Sequence, residues 1–198
     1  IVVRLVGSEM CIRDRCKDEA GNSNWNLPEF FATQASDNAD WNFSYVDTQI
    51  ENGIATVTIN RPEAMNALNE TVIHQLGLAI DTINANDDVH TIVLDGAGKA
   101  FVAGADVKFF VDKIRSDSIE DIVEFTSNGH KVLNAIENST KTTIALTTGL
   151  ALGGGLELAL CCDYRIGTRR TQFRFPETSI GIYPGLGGSQ RPARISGI

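Results

Sequence analysis

The sequence predicts an α/β protein built from repeated strand–loop–helix units. Short apolar runs with period-two alternation, typical of strands, alternate along the chain with longer segments whose apolar residues recur at helical spacing. The 198 residues are 42% hydrophobic and 21% charged, which is typical of a globular domain with its own core. The net charge of −8 argues against a nucleic-acid partner, and no stretch has the length of a membrane span.

The predicted elements begin near residue 43. Two runs with period-two character, residues 43–50 and 54–59, flank Asn52-Gly53, which is a strong signal for a hairpin turn. Asn69 can cap a helix whose apolar residues recur at helical spacing over residues 72–83. Further helices are predicted over 119–136, after the glycines at 153–155, and over Gln190 to Ile195, where the chain is expected to end in mid-helix. Further strands are predicted over 91–94, 143–147, 164–167 and 172–175, so the order is ββ-α-β-α-β-α-ββ before the last helix.

The first 42 residues differ in character from the rest. Residues 1–15 lack periodicity and are interpreted as a non-native or artefactual leader, with a genuine N-terminal strand as the alternative. Residues 16–42 are polar and predict a linker or the tail of an upstream domain, which leaves residues 43–198 as the core. The four cysteines favour neither disulfides nor a metal site, so a reduced, cytoplasmic compartment is expected.

Three loops, residues 60–69, 96–106 and 149–155, each follow a predicted strand. Such loops gather at one end of an α/β sheet, where ligands bind. The Gly-Ala-Gly-Lys run in the second loop suggests a phosphate-binding loop, but Val93 and Ala100 stand where that motif requires Gly and Ser or Thr. The triple glycine in the third loop lacks the last glycine of a dinucleotide fingerprint. It predicts a turn whose N–H groups open a helix and stabilise negative charge, although a turn that only needs positive φ is the alternative.

Two glutamates stand where a charge is costly. Glu157 is the one charged residue in the apolar, helix-like run 153–162, and Glu177 follows a proline just after a predicted strand. Each has a structural explanation, since Glu157 can cap helix N–H groups and Glu177 can be an acid at the start of a surface helix. The three histidines form no recognisable catalytic triad with Ser and Asp, so the two glutamates are the acid–base candidates, beside an anion-stabilising turn.

Together, the three loops and the Pro-Glu turn resemble the crotonase superfamily, the enoyl-CoA hydratase/isomerase group. The matching segments lie in family order at residues 60–69, 99–108 (KAFVAGADVK), 149–163 (GLALGGGLELALCCD) and 172–191 (QFRFPETSIGIYPGLGGSQR). The resemblance extends over residues 45–198. It implies the crotonase (ClpP-like) fold, in which repeated ββα units form a superhelix. It also implies closing C-terminal helices beyond residue 198, so a truncated C-terminal region is expected.

The resemblance implies roles for individual residues. Two backbone N–H groups that hold the thioester oxygen fall on Ala105 and Gly154, and two glutamates around one water fall on Glu157 and Glu177. We assign Glu157 to activating the water and Glu177 to proton exchange at Cα. The other positions that match coenzyme A and substrate contacts are Arg61, Ala67, Leu68, Ala103, Gly104, Asp106, Val107, Lys108 and Gly153, and Ala105 and Gly154 belong to the same set. No metal and no separate cofactor are expected, because coenzyme A is part of the substrate.

The activity that the resemblance implies is reversible hydration of a trans-2-enoyl-CoA to a 3-hydroxyacyl-CoA. A double-bond isomerase, which needs one acid–base carboxylate, and a non-catalytic acyl-CoA-binding homologue are the alternatives. A homotrimer or a dimer of trimers is the family expectation for the full-length protein. The polar segment before residue 43 resembles a connector from a fused 3-hydroxyacyl-CoA dehydrogenase domain, as in bifunctional β-oxidation-type proteins.

Overall fold

The computed structural model describes residues 2–3 and 41–197. Strands β1 to β10 span Val2–Val3, Trp41–Asn42, Val46–Glu51, Ile54–Ile59, Thr91–Gly96, Ala100–Ala103, Thr142–Thr147, Leu150–Leu152, Tyr164–Gly167 and Gln172–Arg174. Helices α1 to α5 span Glu70–Ala85, Val107–Arg115, Ile119–Glu137, Gly154–Leu160 and Arg191–Ser196, and two 3₁₀ turns span Pro62–Ala64 and Pro176–Ile180. The predicted leader and linker, residues 1–15 and 16–42, lie almost wholly outside the described residues.

The described strands form two sheets. The larger sheet has the order β1-β9-β7-β5-β4-β3-β2, and its β4, β5, β7 and β9 run parallel. The smaller sheet, β10-β8-β6, is parallel throughout. From β5 onward each unit divides between the sheets, since β5, β7 and β9 join the larger one and β6, β8 and β10 join the smaller one. This arrangement confirms the α/β class and the repeated ββα units.

The first elements form as their local signals predict. β3 and β4 pair as an antiparallel hairpin, and both turn residues, Asn52 (φ 51°) and Gly53 (φ 75°), take the left-handed conformation that a tight two-residue turn requires. The Asn69 side chain accepts a hydrogen bond from the N–H of Val72 at 2.9 Å and so caps α1. The buried face of α1 consists of Val72, Ile73, Gln75, Leu76, Ala79, Ile80 and Ile83.

The smaller sheet corrects the sequence prediction. β6 and β8 lie in segments that were predicted as loops, 96–106 and 149–155, and α2 precedes the predicted second helix. Strands of three or four residues are too short to show alternation, and here they become extended because they pair with one another. The predicted helix over Gln190 to Ile195 is confirmed to within a residue at each end by α5, but the prediction that the chain ends in mid-helix is wrong, because Gly197 is left-handed at φ 80° and closes the helix.

The core joins the larger sheet, the helix pair α1 and α3, and the buried residues of β6, β8 and α4 in one cluster. The pair packs closely, since a methyl group built on Gly77 of α1 would lie 3.0 Å from the Val132 side chain of α3. Cys161 and Cys162 are free thiols buried in the same core. Within the described ranges, no helix combines the length and the apolar character that crossing a bilayer requires.

Candidate active site

The strands of the smaller sheet end at one edge because they are parallel and their last residues pair with one another. Leu152, the last residue of β8, pairs with Ala103 at the end of β6 and with Arg174 at the end of β10. Ala105 and Gly154 each lie two residues beyond such an end. The two positions predicted to donate N–H groups therefore come from neighbouring strand ends, where parallel sheets commonly bind ligands.

The backbone around Ala105 leaves its N–H group available. Leu68 forms a parallel bridge with Ala105, in which the N–H of Leu68 donates to the Gly104 carbonyl (2.9 Å) and the N–H of Asp106 donates to the Leu68 carbonyl (2.8 Å). In such a bridge the N–H of the middle residue points away from the partner. The Ala105 N–H has no acceptor among the described residues.

Gly154 supplies the second N–H group, from the start of α4. The first N–H groups of a helix have no acceptor within the helix, and they lie at its positive end. The preceding Gly153 is at φ 47° and donates its N–H to the Arg174 carbonyl at 2.8 Å, which sets the turn from β8 into the helix. A methyl group on Gly154 would lie 3.7 Å from the Ala105 nitrogen, so the two positions are adjacent. The pair is suited to hold an oxygen that gains negative charge.

Glu157 lies one turn into α4 and is 1% exposed. Its Oε1 accepts hydrogen bonds from the N–H groups of Leu186 and Gly188, each at 2.7 Å. Burial raises the pKa of the Glu157 carboxyl, the two N–H donors work against that rise, and the nearby charge of Glu177 adds to it. Sequence reasoning did not identify the turn that supplies these donors, because backbone N–H groups leave no side-chain signal in a sequence.

Glu177 reaches the same edge from the 3₁₀ turn after β10. Its carboxylate packs against Gly153, where a methyl group would overlap Oε1. Its Oε2 is buried and has no hydrogen-bond partner in the part of the chain that is described. Burial raises the pKa of Glu177, opposed by its own backbone N–H. The structure thus brings together all four residues predicted for the chemistry, with donors on one carboxylate and a free oxygen on the other.

Arg61 and Asp106 join two of the predicted loops. The Arg61 guanidinium lies 2.8 Å from Asp106 Oδ2 and donates to the carbonyl of Ala67 at 3.1 Å. Burial favours the neutral form of Asp106, but the hydrogen bond and charge of Arg61, with the N–H groups of Lys108 and Phe109, hold its pKa below the usual value. These side chains brace the loops, and their predicted contact with coenzyme A stays a prediction.

The other residues predicted to contact coenzyme A or the substrate differ in their exposure. Val107 and Lys108 are exposed in the first turn of α2. Lys108 borders an open groove whose lining also includes the carboxylates of Glu70, Asp106 and Asp112, a charge that does not favour phosphate there. Ala103 is half-buried, and the buried members of the set are Ala67, Leu68, Gly104, Gly153 and Gly154.

Asn66 is a positioning residue that sequence reasoning missed. It is fully buried in the left-handed conformation at φ 59°, and its amide donates to the carbonyls of Ala97, Ala100 and Phe101 at 2.8–3.2 Å. Its Oδ1 accepts from the N–H of Arg61 at 2.9 Å. One side chain therefore fastens the first loop to β6, the strand that leads to Ala105. Its signal in the sequence was an amide in an otherwise apolar stretch.

Comparison with known proteins agrees with this geometry. The sequence profile of the family described as enoyl-CoA hydratase/isomerase matches residues 54–197. Crotonyl-CoA hydratase from Syntrophomonas wolfei is 43% identical over 148 residues, which are 74% of this chain and 55% of that protein. The crystal structure of an enoyl-CoA hydratase from Bacillus anthracis superposes with a TM-score of 0.72 at 31% identity, over 78% of this chain and 59% of the other.

A third relative is much longer. The fatty acid oxidation complex subunit alpha of Ectopseudomonas oleovorans is 34% identical over 149 residues, which are 75% of this chain and 21% of that protein. By contrast, the chain spans about half the length, 55%, of the crotonyl-CoA hydratase. The region that the family profile matches includes β4 to β10 and all four residues predicted for the chemistry.

Proposed function

The chain belongs to the enoyl-CoA hydratase/isomerase family of the crotonase superfamily, and from that premise we propose that the whole protein hydrates trans-2-enoyl-CoA thioesters reversibly to 3-hydroxyacyl-CoA. Its relatives include a crotonyl-CoA hydratase and a short-chain-enoyl-CoA hydratase, at 43% and 42% identity. These names support a short-chain enoyl-CoA as the first substrate to test.

The observation that carries the proposal is the pairing of two N–H groups with two carboxylates. The N–H groups of Ala105 and Gly154 lie at neighbouring strand ends, and Glu177 packs against the glycine beside them. Addition of water to an enoyl thioester places negative charge on the thioester oxygen, and such donors stabilise that charge. Losing one donor of this kind typically costs about 10²–10³ in rate.

The two carboxylates divide the proton transfers. Glu157 takes a proton from water while the water oxygen bonds to Cβ of the substrate, and Glu177 delivers a proton to Cα. The two N–H donors on Glu157 Oε1 support its role as the ionised base. The free Oε2 of Glu177 and its raised pKa support its role as the proton donor. The net result adds one water across the double bond, and the mechanism draws on no metal and no further cofactor.

Two alternatives make different demands on the site. A double-bond isomerase moves a proton between two carbons and needs only one carboxylate. This site has a second carboxylate, Glu157, which two backbone N–H donors hold in place. A non-catalytic acyl-CoA-binding protein needs neither, and it gains nothing from two carboxyls whose pKa burial raises. Hydration is the reaction that uses both glutamates.

The test measures hydration of crotonyl-CoA by the full-length gene product, from the loss of enoyl absorbance. We expect Glu157→Gln and Glu177→Gln each to lower kcat by about 10²–10⁴-fold, because each removes one acid–base group while leaving a side chain of the same shape. Normal hydration by the Glu177→Gln variant contradicts the assignment. Isomerisation of a 3-enoyl-CoA without hydration favours the isomerase, and binding with neither reaction favours the non-catalytic homologue.

The assembly of the whole protein is a separate proposal. The match to 21% of a fatty acid oxidation complex subunit alpha supports an arrangement in which a 3-hydroxyacyl-CoA dehydrogenase domain is fused to this one. The shorter hydratase relatives support the stand-alone alternative. We also propose the homotrimer or dimer of trimers that the family resemblance implies. The mass of the full-length polypeptide tests whether a second domain is fused, and light scattering of the purified protein tests the oligomeric state.

A further inference from the structure

We propose that Arg191 is a positioning residue for Glu157, acting through the turn of residues 184–188 that holds the Glu157 carboxylate. The inference rests on the proposed hydration, because it concerns the group assigned to activate water. Arg191 lies at the start of α5 and ends the 172–191 segment that resembles the family, but no role was predicted for it.

Leu186 connects the guanidinium to the carboxylate. Its N–H donates to Glu157 Oε1 at 2.7 Å, and its carbonyl accepts from Arg191 Nη1 at 2.6 Å. Gly188, two residues on, gives Oε1 its second donor at 2.7 Å. A shift of the Leu186 backbone therefore moves the carboxylate, and Arg191 is the side chain that holds this backbone in place.

Arg191 is itself anchored to α3. Its Nε and Nη2 donate to Glu137 Oε2 at 2.9 and 2.8 Å, and Nη2 also donates to Asn134 Oδ1 at 3.1 Å. The residue is only 6% exposed, so water does not replace a lost partner easily. Removing one member of such a buried pair leaves the other charge uncompensated. The long helix α3 is thus connected to Glu157 by three successive contacts.

The turn has little room to move. A methyl group on Gly129 of α3 would lie 2.7 Å from Leu186 Cδ2, and one on Gly188 would lie 2.9 Å from Glu157 Oε1. A methyl group on Gly187 would overlap the Arg191 guanidinium. Three glycines at these contacts indicate that the turn is seated tightly between α3, Arg191 and Glu157.

The charge of Arg191 also reaches Glu157. The titratable or charged groups near the Glu157 carboxyl are Glu177 from the 3₁₀ turn, Arg191 from α5 and Cys161 at the C-terminal cap of α4. Burial raises the pKa of the Cys161 thiol well above its usual value, so Cys161 stays neutral near pH 7. Arg191→Lys keeps the positive charge and loses the planar hydrogen-bonding fork, whereas Arg191→Gln loses both.

The experiment measures kcat, KM and the pH profile of crotonyl-CoA hydration by the full-length gene product. We expect Arg191→Lys to lower kcat about 10–100-fold with KM within about twofold, because a displaced base impairs the transition state more than binding. Its acidic pH limb stays in place. We expect Arg191→Gln to lower kcat similarly and to move the acidic limb to higher pH, since Glu157 loses a nearby positive charge.

Lys141 provides the matched control. It is also a buried cation that holds backbone carbonyls, those of Asn86 and Val89 at 2.7 Å, and those carbonyls belong to the segment between α1 and β5. We expect Lys141→Met to lower stability while leaving kcat within about twofold of the parent. A loss of kcat equal to that of Arg191→Lys overturns the proposal, because it indicates a general effect of losing a buried cation.

A folded Arg191→Lys variant with kcat within about twofold of the parent also overturns it. If the Arg191 variants do not fold, the Glu137→Gln variant tests the proposal instead. We expect its kcat to fall about 3–10-fold, and a kcat equal to that of the parent overturns the proposal. Crystal structures of the folded variants give a readout without activity, in which the Glu157 Oε1 contacts to Leu186 and Gly188 lengthen beyond hydrogen-bonding distance. An inactive parent rejects the proposed hydration, and unchanged contacts in the variants reject the positioning role.

Discussion

Burial raises the pKa of both Glu157 and Glu177, but the two carboxyls differ in their hydrogen-bond donors. Glu157 Oε1 accepts from two backbone N–H groups, whereas Glu177 Oε2 has no partner among residues 41–197. Donors that bond to a carboxylate favour its ionised form, and Glu177, whose donor is its own backbone N–H alone, holds its proton more readily than a carboxyl with two such donors. At the residue scale, this difference supports the division into base and acid.

The buried Glu157 carboxylate also has a cost to stability that depends on pH. The pKa of Glu157 is raised in the folded state, so the folded state binds the proton more tightly than the unfolded state does. The free energy of unfolding therefore falls as pH rises above about 4.3, the usual pKa of glutamate, and continues to fall until pH passes the raised pKa. We expect Glu157→Gln to remove this loss and to stabilise the protein by about 0.5–2 kcal/mol at pH 8, because Gln keeps an oxygen for both N–H donors.

Thermal unfolding of parent and variant at pH 5 and pH 8 measures the effect. The advantage of the Gln variant is expected to be larger at pH 8, where the parent carries the buried charge. Surface Glu124→Gln serves as the control, since Glu124 is exposed on α3. A difference between parent and Glu157→Gln that does not change with pH contradicts the prediction.

At the scale of elements, braces between loops hold the strand ends together. Asn66 ties the first loop to β6, and the Arg61–Asp106 ion pair ties it to the start of α2. Both side chains of that pair are less than one-fifth exposed, at 16% and 19%, so solvent screens the pair incompletely. These braces hold the segments on either side of Ala105 to the first loop.

Replacement of Asp106 by Asn tests the brace. Asn keeps the cap on the N–H of Lys108 but loses the charge that faces Arg61, so we expect a loss of about 0.5–1 kcal/mol in the free energy of unfolding at pH 7. The folded pKa of Asp106 is lowered, so its contribution is fully present above about pH 3.9 and disappears as pH falls through the lowered value.

Urea unfolding at several pH values measures the difference between parent and Asp106→Asn. The gap is expected to stay constant from pH 8 to pH 5 and to narrow below about pH 4. Asp121→Asn is the matched control, because its partner Lys113 is in a more exposed pair, at 28% and 41%, and a smaller change is expected. A gap that widens on acidification is inconsistent with the brace.

At the scale of the whole molecule, stability and chemistry lie in different layers. The helix layer of α1 and α3 holds many of the fully buried side chains of the core, whereas the site lies at the edge of the smaller sheet. The layers meet where α3 contacts the 184–188 turn, through Gly129 and the Arg191–Glu137 pair. A change on the far side of the core therefore affects folding more than catalysis.

Ile80 on α1 tests this separation, because it is fully buried in the helix layer. We expect Ile80→Ala to lower the free energy of unfolding by about 2–5 kcal/mol, through lost burial and the cavity that remains. The same change at Ile54, which is 40% exposed, is expected to cost about 1 kcal/mol or less. Urea unfolding measures both, and kcat per folded molecule is expected to stay within about twofold; a large fall in kcat for Ile80→Ala contradicts the separation.

Strong local signals were enough to predict many elements. Asn52-Gly53 formed the hairpin turn, Asn69 capped α1, and the helical repeat of α1 marked its buried face correctly. The smaller sheet was missed because its strands, such as Leu150–Leu152, have three or four residues and take their conformation from pairing with distant segments. Asn66 and Arg191 were missed because they bind partners that are distant in the sequence. Ala100, whose carbonyl accepts from Asn66, is 34 positions away, and Glu137, which accepts from Arg191, is 54 positions away.

The sequence by itself determined the α/β class, the family, and which glutamates and glycines stand in its motifs, because residue type and spacing carry that information. Only the tertiary structure decided how the two carboxylates differ. The donors on Glu157 come from the backbone of Leu186 and Gly188, and the free oxygen of Glu177 depends on what packs around it. Backbone direction and burial arise from the packing of distant segments, and no motif records them.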